Sequence, residues 1–239
     1  TEKRGCRGTG VPFVVFQSSI RVTGPDRLDR EDRTMFRDIT RDDVYRIETQ
    51  RLWLRWPKVT DAAEIAEHLA EKRITDMTGR IKHPYARSDA EAYVFAARNG
   101  NSDGHGISLI IAPKARPNAV LGAVALTREA DANGALSLRD LTLGYWIGMP
   151  HWRQGYASEA VLALLSAGFS LTNAEQIVAT VKPENTASKR VLAKAGFTET
   201  GREIRFMPAR NRDEMVECYA LTRSAWRDGA AWSAFGAAA

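Results

Sequence analysis

A strand, a short turn and a helix follow one another between residues 138 and 169, and this stretch constrains the fold most. Apolar side chains alternate along 141–147, which is the pattern of a half-buried strand. From Val161 onward, apolar residues recur at helical spacing, which predicts a helix with one buried face. A turn containing Gly155 joins the two elements, so the stretch predicts an α/β fold.

The other patterns extend this to an α/β domain of about 180 residues. Alternation predicts a strand at 46–56, and capping-box-like starts predict helices after Asp61 and Ser88. The predicted order is β-α-α-β-β-β-α-β-α-β. It includes a hairpin of 106–112 with 120–127, a turn at Asn133-Gly134, a strand at 177–181, a helix at 186–195 between Asn185 and Gly196, and a strand at 214–222.

Both ends of the chain differ from this domain. Residues 1–45, rich in charges of both signs, are predicted to be an extension. Because Met35 is the first methionine, we leave open whether 1–34 belong to the natural protein. The globular domain is predicted over 46–228, and the alanine-rich stretch from Trp226 is expected to fray into a tail at 229–239.

Composition excludes several classes of protein. Two cysteines are too few for a disulfide scaffold or a four-cysteine metal site, and the four histidines lack ligand spacing. We therefore expect no metal. The longest early apolar run, at 11–16, is far too short to span a membrane, so a cytoplasmic protein without membrane association is expected. The net charge of +5 comes from nearly balanced charges, 34 basic against 29 acidic, so nucleic acid is an unlikely partner.

The turn at 153–157 has the chemistry of an anion site. The first backbone N–H groups of a helix lack partners, and the helix dipole favours negative charge there. Gly155 allows close approach of the backbone, and Arg153, Gln154 and Ser158 add side-chain donors. The turn lacks the Gly-Lys-Ser/Thr of a P-loop and does not match GxGxxG. It therefore predicts a phosphate or pyrophosphate site of another kind.

This stretch resembles the GNAT superfamily of N-acetyltransferases, whose pyrophosphate motif is Gln/Arg-x-x-Gly-x-Gly/Ala. Trp152-Arg-Gln-Gly155-Tyr-Ala157 matches it at Gly155 and Ala157 and departs at Trp152, a departure common in the RimJ/RimL-like branch. Five further segments of that branch's pattern occur in order over 46–228. They are Thr49-Gln-Arg51-Leu-Trp-Leu-Arg55, Gly144-Tyr-Trp-Ile, Tyr156-Ala-Ser-Glu159-Ala, Asn185-Thr-Ala-Ser188-Lys-Arg-Val-Leu-Ala-Lys-Ala-Gly196-Phe and Cys218-Tyr-Ala-Leu-Thr-Arg223.

The resemblance implies a GNAT-type acyl-CoA N-acyltransferase fold, with a mostly antiparallel sheet, a splayed parallel pair and flanking helices. It implies acetyl-CoA as co-substrate and transfer to a primary amine in a ternary complex. Pantetheine would lie between the splayed strands, and a backbone N–H near Ile147 would polarise the acetyl carbonyl. The implied CoA-binding residues are Ile147, Trp152, Arg153, Gln154, Gly155, Tyr156, Ala157, Ser158, Asn185, Ser188 and Arg190.

The same resemblance suggests catalytic residues. Ser188 and Asn185 match family positions near the pantetheine sulfur, so Ser188 is the candidate for stabilising the leaving thiolate. The alternative is that Ser188 is only a first-turn hydroxyl and Asn185 only a helix cap. Lys189 and Arg190 either reach the CoA phosphates or lie on a solvated helix face.

The general base is missing from its usual place, because Thr142 stands where many relatives carry a glutamate. Asp140, on the same strand face, is the candidate substitute, or else a surface residue. Weaker candidates are Glu203, Glu214, His83 and His105, and a water chain is a further alternative. The absent glutamate motivates a second hypothesis, a catalytically weak acyl-CoA-binding regulatory module.

The acceptor is the least defined part of the prediction. His83, Tyr85 and Trp146 are candidate acceptor contacts, with a packed turn and a core ring as the alternatives. Basic residues around the 207–212 loop (Arg205, Arg210 and Arg212) hint at an acidic acceptor. A protein N-terminus and a small-molecule amine both stay open, as does the choice between monomer and homodimer.

Overall fold

A computed structural model describes residues 35–128 and 139–229. Within them, eight strands form one sheet, with helices on both faces. The strands are β1 (Arg46–Glu48), β2 (Leu52–Arg55), β3 (Gly106–Pro113), β4 (Gly122–Thr127), β5 (Asp140–Ile147), β6 (Gln176–Val181), β7 (Thr198–Met207) and β8 (Arg212–Thr222). The helices are α1 (Ala62–Leu69), α2 (Lys72–Thr75), α3 (Arg87–Ser102), α4 (Tyr156–Leu171), α5 (Thr186–Lys194) and α6 (Arg223–Asp228).

The strands lie in the order β1-β2-β3-β4-β5-β6-β8-β7. Neighbours are antiparallel except β5 and β6, which run parallel. The connection between these two strands is α4, as a parallel pair requires a crossover. The predicted mostly antiparallel sheet with one parallel pair is thereby confirmed.

Two hydrophobic cores lie on opposite faces of the sheet, because side chains alternate along each strand. The first core contains Leu141 and Ile147 of β5 together with the apolar stripe of α4. The second contains Trp146 of β5 with apolar side chains of α1 and α3, such as Ile65 and Val94. Consecutive residues of β5 therefore pack in different cores, on opposite faces of the sheet.

The stretch predicted as one strand at 46–56 is two strands joined by a tight turn. The Thr49 N–H donates to the Leu52 carbonyl over 3.0 Å, and the Leu52 N–H donates to the Thr49 Oγ1 over 2.9 Å. The chain reverses here, so that Ile47 pairs with Leu54. The alternation of apolar residues breaks at the polar residues 48–51, where its phase changes between Ile47 and Leu52, and this break was the signal of the turn that the prediction overlooked.

The helix starts differ slightly from the expected capping boxes. Helix α3 begins at Arg87 rather than after Ser88, and the Ala86 N–H donates to the Asp89 carboxylate over 2.9 Å. Helix α1 begins at Ala62, as expected. The hairpin of β3 and β4, the strand β6 and the helix α5 all lie close to their predicted positions.

Strand β7 has no counterpart in the predicted order. Among the strands of the described residues it lies at the edge of the sheet and pairs only with β8. Most of its side chains are exposed and many are charged, so its sequence lacks the alternation of a half-buried strand. The Asn133-Gly134 turn predicted elsewhere lies outside the described residues.

The prediction that the chain frays from Trp226 onward is wrong for Trp226 itself, and residues 230–239 of the predicted tail lie outside the described residues. Helix α6 carries the Trp226 ring into the first core, where it stacks on Phe169 with 5.9 Å between ring centroids. Phe36, within the predicted extension, is also buried in that core. The domain limits themselves stay a prediction. No helix in the described part of the chain is long and apolar enough to cross a membrane.

Candidate functional site

A gap opens between the parallel strands β5 and β6. Asp140, Leu141 and Thr142 pair with Gln176, Ile177 and Val178, and the pairing ends there. Beyond this point β5 stays paired with β4 as far as Ile147, while β6 stays paired with β8. Strands that part in this way leave backbone N–H and C=O groups unpaired along the inner side of the gap. An extended ligand rich in amides could add itself there as a strand.

The turn between β5 and α4 is exposed and follows the end of β5 at which the gap opens. Arg153 and Gly155 adopt left-handed conformations, with φ of 61° and 81°. Gly155 is the N-cap of α4 and provides no side-chain cap, and the first amide bonded within the helix is that of Glu159. The amides of Tyr156, Ala157 and Ser158 precede it. This is the geometry predicted for an anion site.

Trp152 fastens this turn to the end of β5. Its indole Nε1 donates to the Ile147 carbonyl over 2.7 Å. The Arg73 guanidinium lies over the ring, 5.4 Å from its centroid. Trp152 therefore has a positional role where the GNAT motif has a polar residue. The Ile147 carbonyl is occupied by this bond, and the polarising role of a nearby N–H stays a prediction.

Arg51 and Glu159 form an anchor beside the turn that the sequence patterns did not reveal. The Glu159 carboxylate accepts from the Thr49 Oγ1 at 2.6 Å, the Arg51 N–H at 2.8 Å and the Arg51 Nε at 2.7 Å. Burial by itself raises the pKa of Glu159, but these hydrogen bonds outweigh it and lower that pKa below its ordinary value. Both residues stand in segments that match the family pattern, and this match was the signal in the sequence that could have pointed to them.

The first turn of α5 meets β5 across the gap. The Asn185 Oδ1 accepts from the Ser188 N–H at 3.0 Å, so Asn185 caps the helix as predicted. The Ser188 Oγ lies 2.8 Å from the Tyr145 hydroxyl. Tyr145 was not among the predicted site residues, although it stands in the quoted Gly144-Tyr-Trp-Ile segment. The gap is thus bordered by two hydroxyls from different elements.

The two basic residues that follow Ser188 have different surroundings. The Lys189 Nζ lies 2.6 Å from the Pro183 carbonyl and 3.0 Å from the Glu217 carboxylate, so its charge is already paired. Arg190 is exposed on the outer face of α5. Of the two, only Arg190 keeps the freedom to contact a phosphate.

An exposed patch of small side chains lies on the other face of the sheet, the face that packs against α1 and α3 elsewhere. Gly144 is exposed in the middle of the sheet, and among the described residues no atom lies within 4 Å of the place a Cβ would occupy. Its neighbours on this face are small, half-exposed side chains of β4, β5 and β6. They are Ala125, Thr127, Thr142, Val178 and Thr180. This uncharged floor adjoins the gap, so a second substrate could reach it from this side.

Several predicted site residues lie away from the two hydroxyls. Asp140 stands at the closed end of the gap, about 13 Å along the strand from Gly144. Trp146 is only 8% exposed and packs in the second core, so its predicted acceptor contact is not supported. Tyr85 is half-buried against the same core, where burial raises the pKa of its hydroxyl. His83 is exposed on the loop before it.

The arginines around the predicted basic loop at 207–212 form salt bridges with glutamates. Arg210 donates to the Thr75 carbonyl at 3.2 Å and the Thr78 carbonyl at 2.7 Å, and its Nε lies 2.8 Å from the Glu214 carboxylate. Arg212 shares Glu214, and Arg205 pairs with Glu203. The hint of an acidic acceptor therefore loses its basis. The pairing also ties the hairpin of β7 and β8 to the loop after α2.

The same pairing weakens two candidate bases. Burial alone raises the pKa of Glu214, but hydrogen bonds from Arg212, Lys182 and Arg210 outweigh it and lower the pKa to about 2. A carboxylate with so low a pKa is a poor proton acceptor near neutral pH. Glu203 is engaged by the Arg205 guanidinium at 2.7 Å. His105 is exposed just before β3 and lies away from β5 and β6 in the sheet order.

Comparison with known proteins agrees with this geometry. The family model described as the acetyltransferase (GNAT) domain matches residues 51–198. An uncharacterized N-acetyltransferase of Bacillus licheniformis, p20, is 29% identical over 154 residues, which is 64% of this chain and 82% of the relative.

Two solved structures share the fold. RimJ of Mycobacterium smegmatis, in complex with a CoA disulfide, gives a TM-score of 0.67 at 23% identity, covering 80% of this chain and 95% of that one. RimL, described as a ribosomal L7/L12 alpha-N-protein acetyltransferase and bound to coenzyme A, gives a TM-score of 0.64 at 17% identity. The match covers 76% of this chain and 99% of that one. The family model spans more than half of the chain, and it includes both the turn and the gap. This chain therefore belongs to the GNAT acetyltransferase family and is an acetyl-CoA-dependent acyltransferase.

Proposed function

We propose that this acyltransferase moves the acetyl group of acetyl-CoA to a primary amine by direct attack in a ternary complex. The observation that carries the proposal is the parting of β5 from β6 beside the exposed turn before α4. A donor lying in the gap would place its diphosphate at the turn and its thioester beside the first turn of α5. Unpaired backbone groups of β5 would hold the arm between them.

The reaction forms a C–N bond and breaks the C–S bond to coenzyme A. We assign a backbone N–H near Ile147 to the oxyanion, because fixed dipoles there need no rearrangement during the reaction. Ser188 donates a hydrogen bond to the leaving thiolate, and the Tyr145 hydroxyl orients Ser188. Asn185 sets the start of α5 and so the position of Ser188.

Water is the proposed acceptor of the proton that the amine releases. A lysine-like amine with a pKa near ~10.4 is mostly protonated at neutral pH, so its proton must leave before attack. The floor around Gly144 is open, which gives water access to the gap. Asp140 is the candidate carboxylate on the same face of β5, and its distance along the strand requires that it act through water.

The proposed acceptors are a protein N-terminus or a small-molecule amine. RimL, with which this chain shares its fold, is described as acting on a protein N-terminus, and that supports the first class. The uncharged floor supports both classes, and the arginines of the β7–β8 hairpin do not favour an acidic acceptor because they pair with glutamates. The cytoplasmic location and the monomeric or dimeric state stay predictions.

The test is acceptor-dependent release of coenzyme A thiol from acetyl-CoA. Purified protein is mixed with acetyl-CoA and a panel of amines that includes peptides with free N-termini. A Ser188→Ala, Asn185→Ala double variant removes the two catalytic candidates at the start of α5, and Thr186→Ala serves as the matched control in the same helical turn. We expect release with at least one class of acceptor, retained by the control and lost by the double variant.

A second candidate function is a catalytically weak acyl-CoA-binding module. It is favoured by Thr142 at the usual base position and by the paired state of Glu203 and Glu214. Tight binding of acetyl-CoA without release for any acceptor would support it and contradict the transferase. Failure to bind acetyl-CoA at all would contradict both.

A further inference from the structure

Arg51 joins the start of β2 to the turn before α4. Its Nη1 donates to the Gln154 carbonyl over 3.0 Å, and its Nη2 lies 2.7 Å from the Glu159 carboxylate. The guanidinium also lies over the Tyr156 ring, 4.7 Å from its centroid. A single side chain thus contacts the turn and the first helical turn together.

The carbonyl that Arg51 holds belongs to the middle of the turn. Gln154 stands between Arg153 and Gly155, the two left-handed residues. A left-handed conformation is unfavourable for a non-glycine residue such as Arg153, so it needs support from surrounding contacts. A bond that holds the Gln154 carbonyl toward Arg51 orients this peptide plane, and because a trans peptide points its N–H opposite to its C=O, the Gly155 N–H then points away from Arg51.

Arg51 also compensates a charge that would oppose an anion. The Glu159 carboxylate lies in the first turn of α4, where its negative charge competes with a bound diphosphate for the helix dipole. Arg51 pairs with it in a forked, charge-assisted arrangement. The Arg51 side chain nevertheless stays 46% exposed, so its positive charge faces the region in front of the turn.

We propose that Arg51 is a positioning residue for the diphosphate of the acetyl-CoA donor, which it serves by shaping the turn and by neutralising Glu159. This inference rests on the proposed function and deepens it. It gives a physical role to a residue far from the turn in sequence, and it places that role on the donor rather than on the acceptor or the chemical step.

The test compares two ligands, of which only one carries the diphosphate together with the phosphorylated adenosine attached to it. Coenzyme A carries it, whereas S-acetylpantetheine lacks it. Affinity for coenzyme A is measured by calorimetry, and affinity for S-acetylpantetheine by ligand-observed NMR at millimolar concentration. The variants are Arg51→Ala and Arg51→Lys. Arg46→Ala is the matched control, because Arg46 is an exposed arginine of the adjoining strand that also stacks on an aromatic ring.

We expect Arg51→Ala to weaken coenzyme A binding about tenfold, the loss typical of one charge-assisted hydrogen bond. Arg51→Lys keeps the positive charge but not the paired donors of the guanidinium, so its affinity for coenzyme A should fall about threefold. Binding of S-acetylpantetheine should stay within about twofold of the wild type, as should coenzyme A binding by the control. Adding Glu159→Gln to Arg51→Ala should restore part of the lost affinity.

Three outcomes would overturn the inference. Unchanged coenzyme A binding by Arg51→Ala would show that the residue does not serve the donor. Equal losses for both ligands would indicate a general structural role. A further loss on adding Glu159→Gln would contradict the charge argument. Failure of the wild-type protein to bind coenzyme A would instead remove the proposed function itself, so the two failures are distinguishable.

Discussion

The hydroxyl of Tyr145 on β5 lies 2.8 Å from the Oγ of Ser188 on α5, at the gap between the parallel strands. Burial raises the pKa of Tyr145 to about 12, against a smaller lowering by the hydrogen bond with Ser188. The phenol therefore keeps its proton near neutral pH and can donate it to Ser188. The serine's own proton is then free for a developing thiolate.

Replacing Ser188 with alanine is expected to lower kcat about hundredfold, at the lower end of the loss typical of a removed transition-state donor. The KM for acetyl-CoA should change little, because the thiolate exists only after the bond begins to break. Steady-state kinetics with the accepted amine measures both constants. Thr186→Ala should leave them unchanged, and an equal loss in this control would contradict the assignment.

Removing the Tyr145 hydroxyl should have a smaller effect of the same kind. Tyr145→Phe keeps the ring and deletes the partner of Ser188, so we expect kcat to fall about threefold to tenfold. The effect should disappear in the Ser188→Ala background, since Tyr145 acts through Ser188. A double-mutant cycle on kcat measures this coupling, and additive losses would show that the two hydroxyls act separately.

Asn185→Ala should reduce the free energy of unfolding by about 1 kcal/mol, the usual cost of a lost N-cap. Asn185→Asp keeps an acceptor for the Ser188 N–H, so its free energy of unfolding should fall much less. Urea denaturation of the three proteins tests the cap. If Asn185→Asp is stable but loses activity, the amide contacts the donor as well, and if it keeps activity Asn185 is only a cap.

Gly144→Val should block the acceptor without affecting the donor. The added side chain would project into the open floor, and a β-branched residue favours an exposed strand position, so the fold should not suffer. We expect the KM for the acceptor to rise about tenfold or more, with acetyl-CoA affinity within about twofold of the wild type. Normal acceptor kinetics in this variant would place the acceptor elsewhere.

Glu214→Gln tests the tie between the hairpin of β7 and β8 and the loop after α2. The pKa of Glu214 lies at about 2, below its ordinary value of 4.5, so its ionised form stabilises the folded state. This contribution is present above pH 4.5 and is lost as the pH falls toward 2. At neutral pH the variant should lose about 2 kcal/mol of unfolding free energy.

The difference between wild type and Glu214→Gln should shrink as the pH falls through this window. This difference in unfolding free energy is measured by denaturant unfolding, from pH 7 down to the lowest pH at which both proteins remain folded. A difference that stays constant with pH would mean that the ionised carboxylate is not the stabilising group.

Trp226→Ala should destabilise the domain by about 3 kcal/mol or more, as expected for the loss of a buried aromatic side chain. Trp226→Phe should be better tolerated, because the indole N–H has no hydrogen-bond partner among the described residues while the ring packs on Phe169. Thermal unfolding of both variants measures this. A harmless Trp226→Ala would agree with a frayed tail and contradict the buried ring.

Local interactions explain the parts that were predicted correctly. The alternation of β5, the apolar stripe of α4 and the N-cap at Asn185 each depend on residues within a few positions of one another. The turn before α4 belongs to the same group, because Gly155 needs only its own backbone freedom to adopt a φ of 81°, whereas the binding of an anion there stays a prediction.

Sequence alone determined the α/β class, the order of most elements, the place of the glycine turn before α4 and, through ordered motifs, the GNAT resemblance. Only the tertiary structure decided which residues meet at the site. Arg51 reaches Glu159 across 108 residues, and Tyr145 reaches Ser188 across 43. Edge strand β7 escaped prediction because a strand exposed on both faces needs no apolar alternation. The contacts of Arg51 with Glu159 and of Tyr145 with Ser188 arise from how the strands and helices pack, and no local spacing in the sequence encodes them.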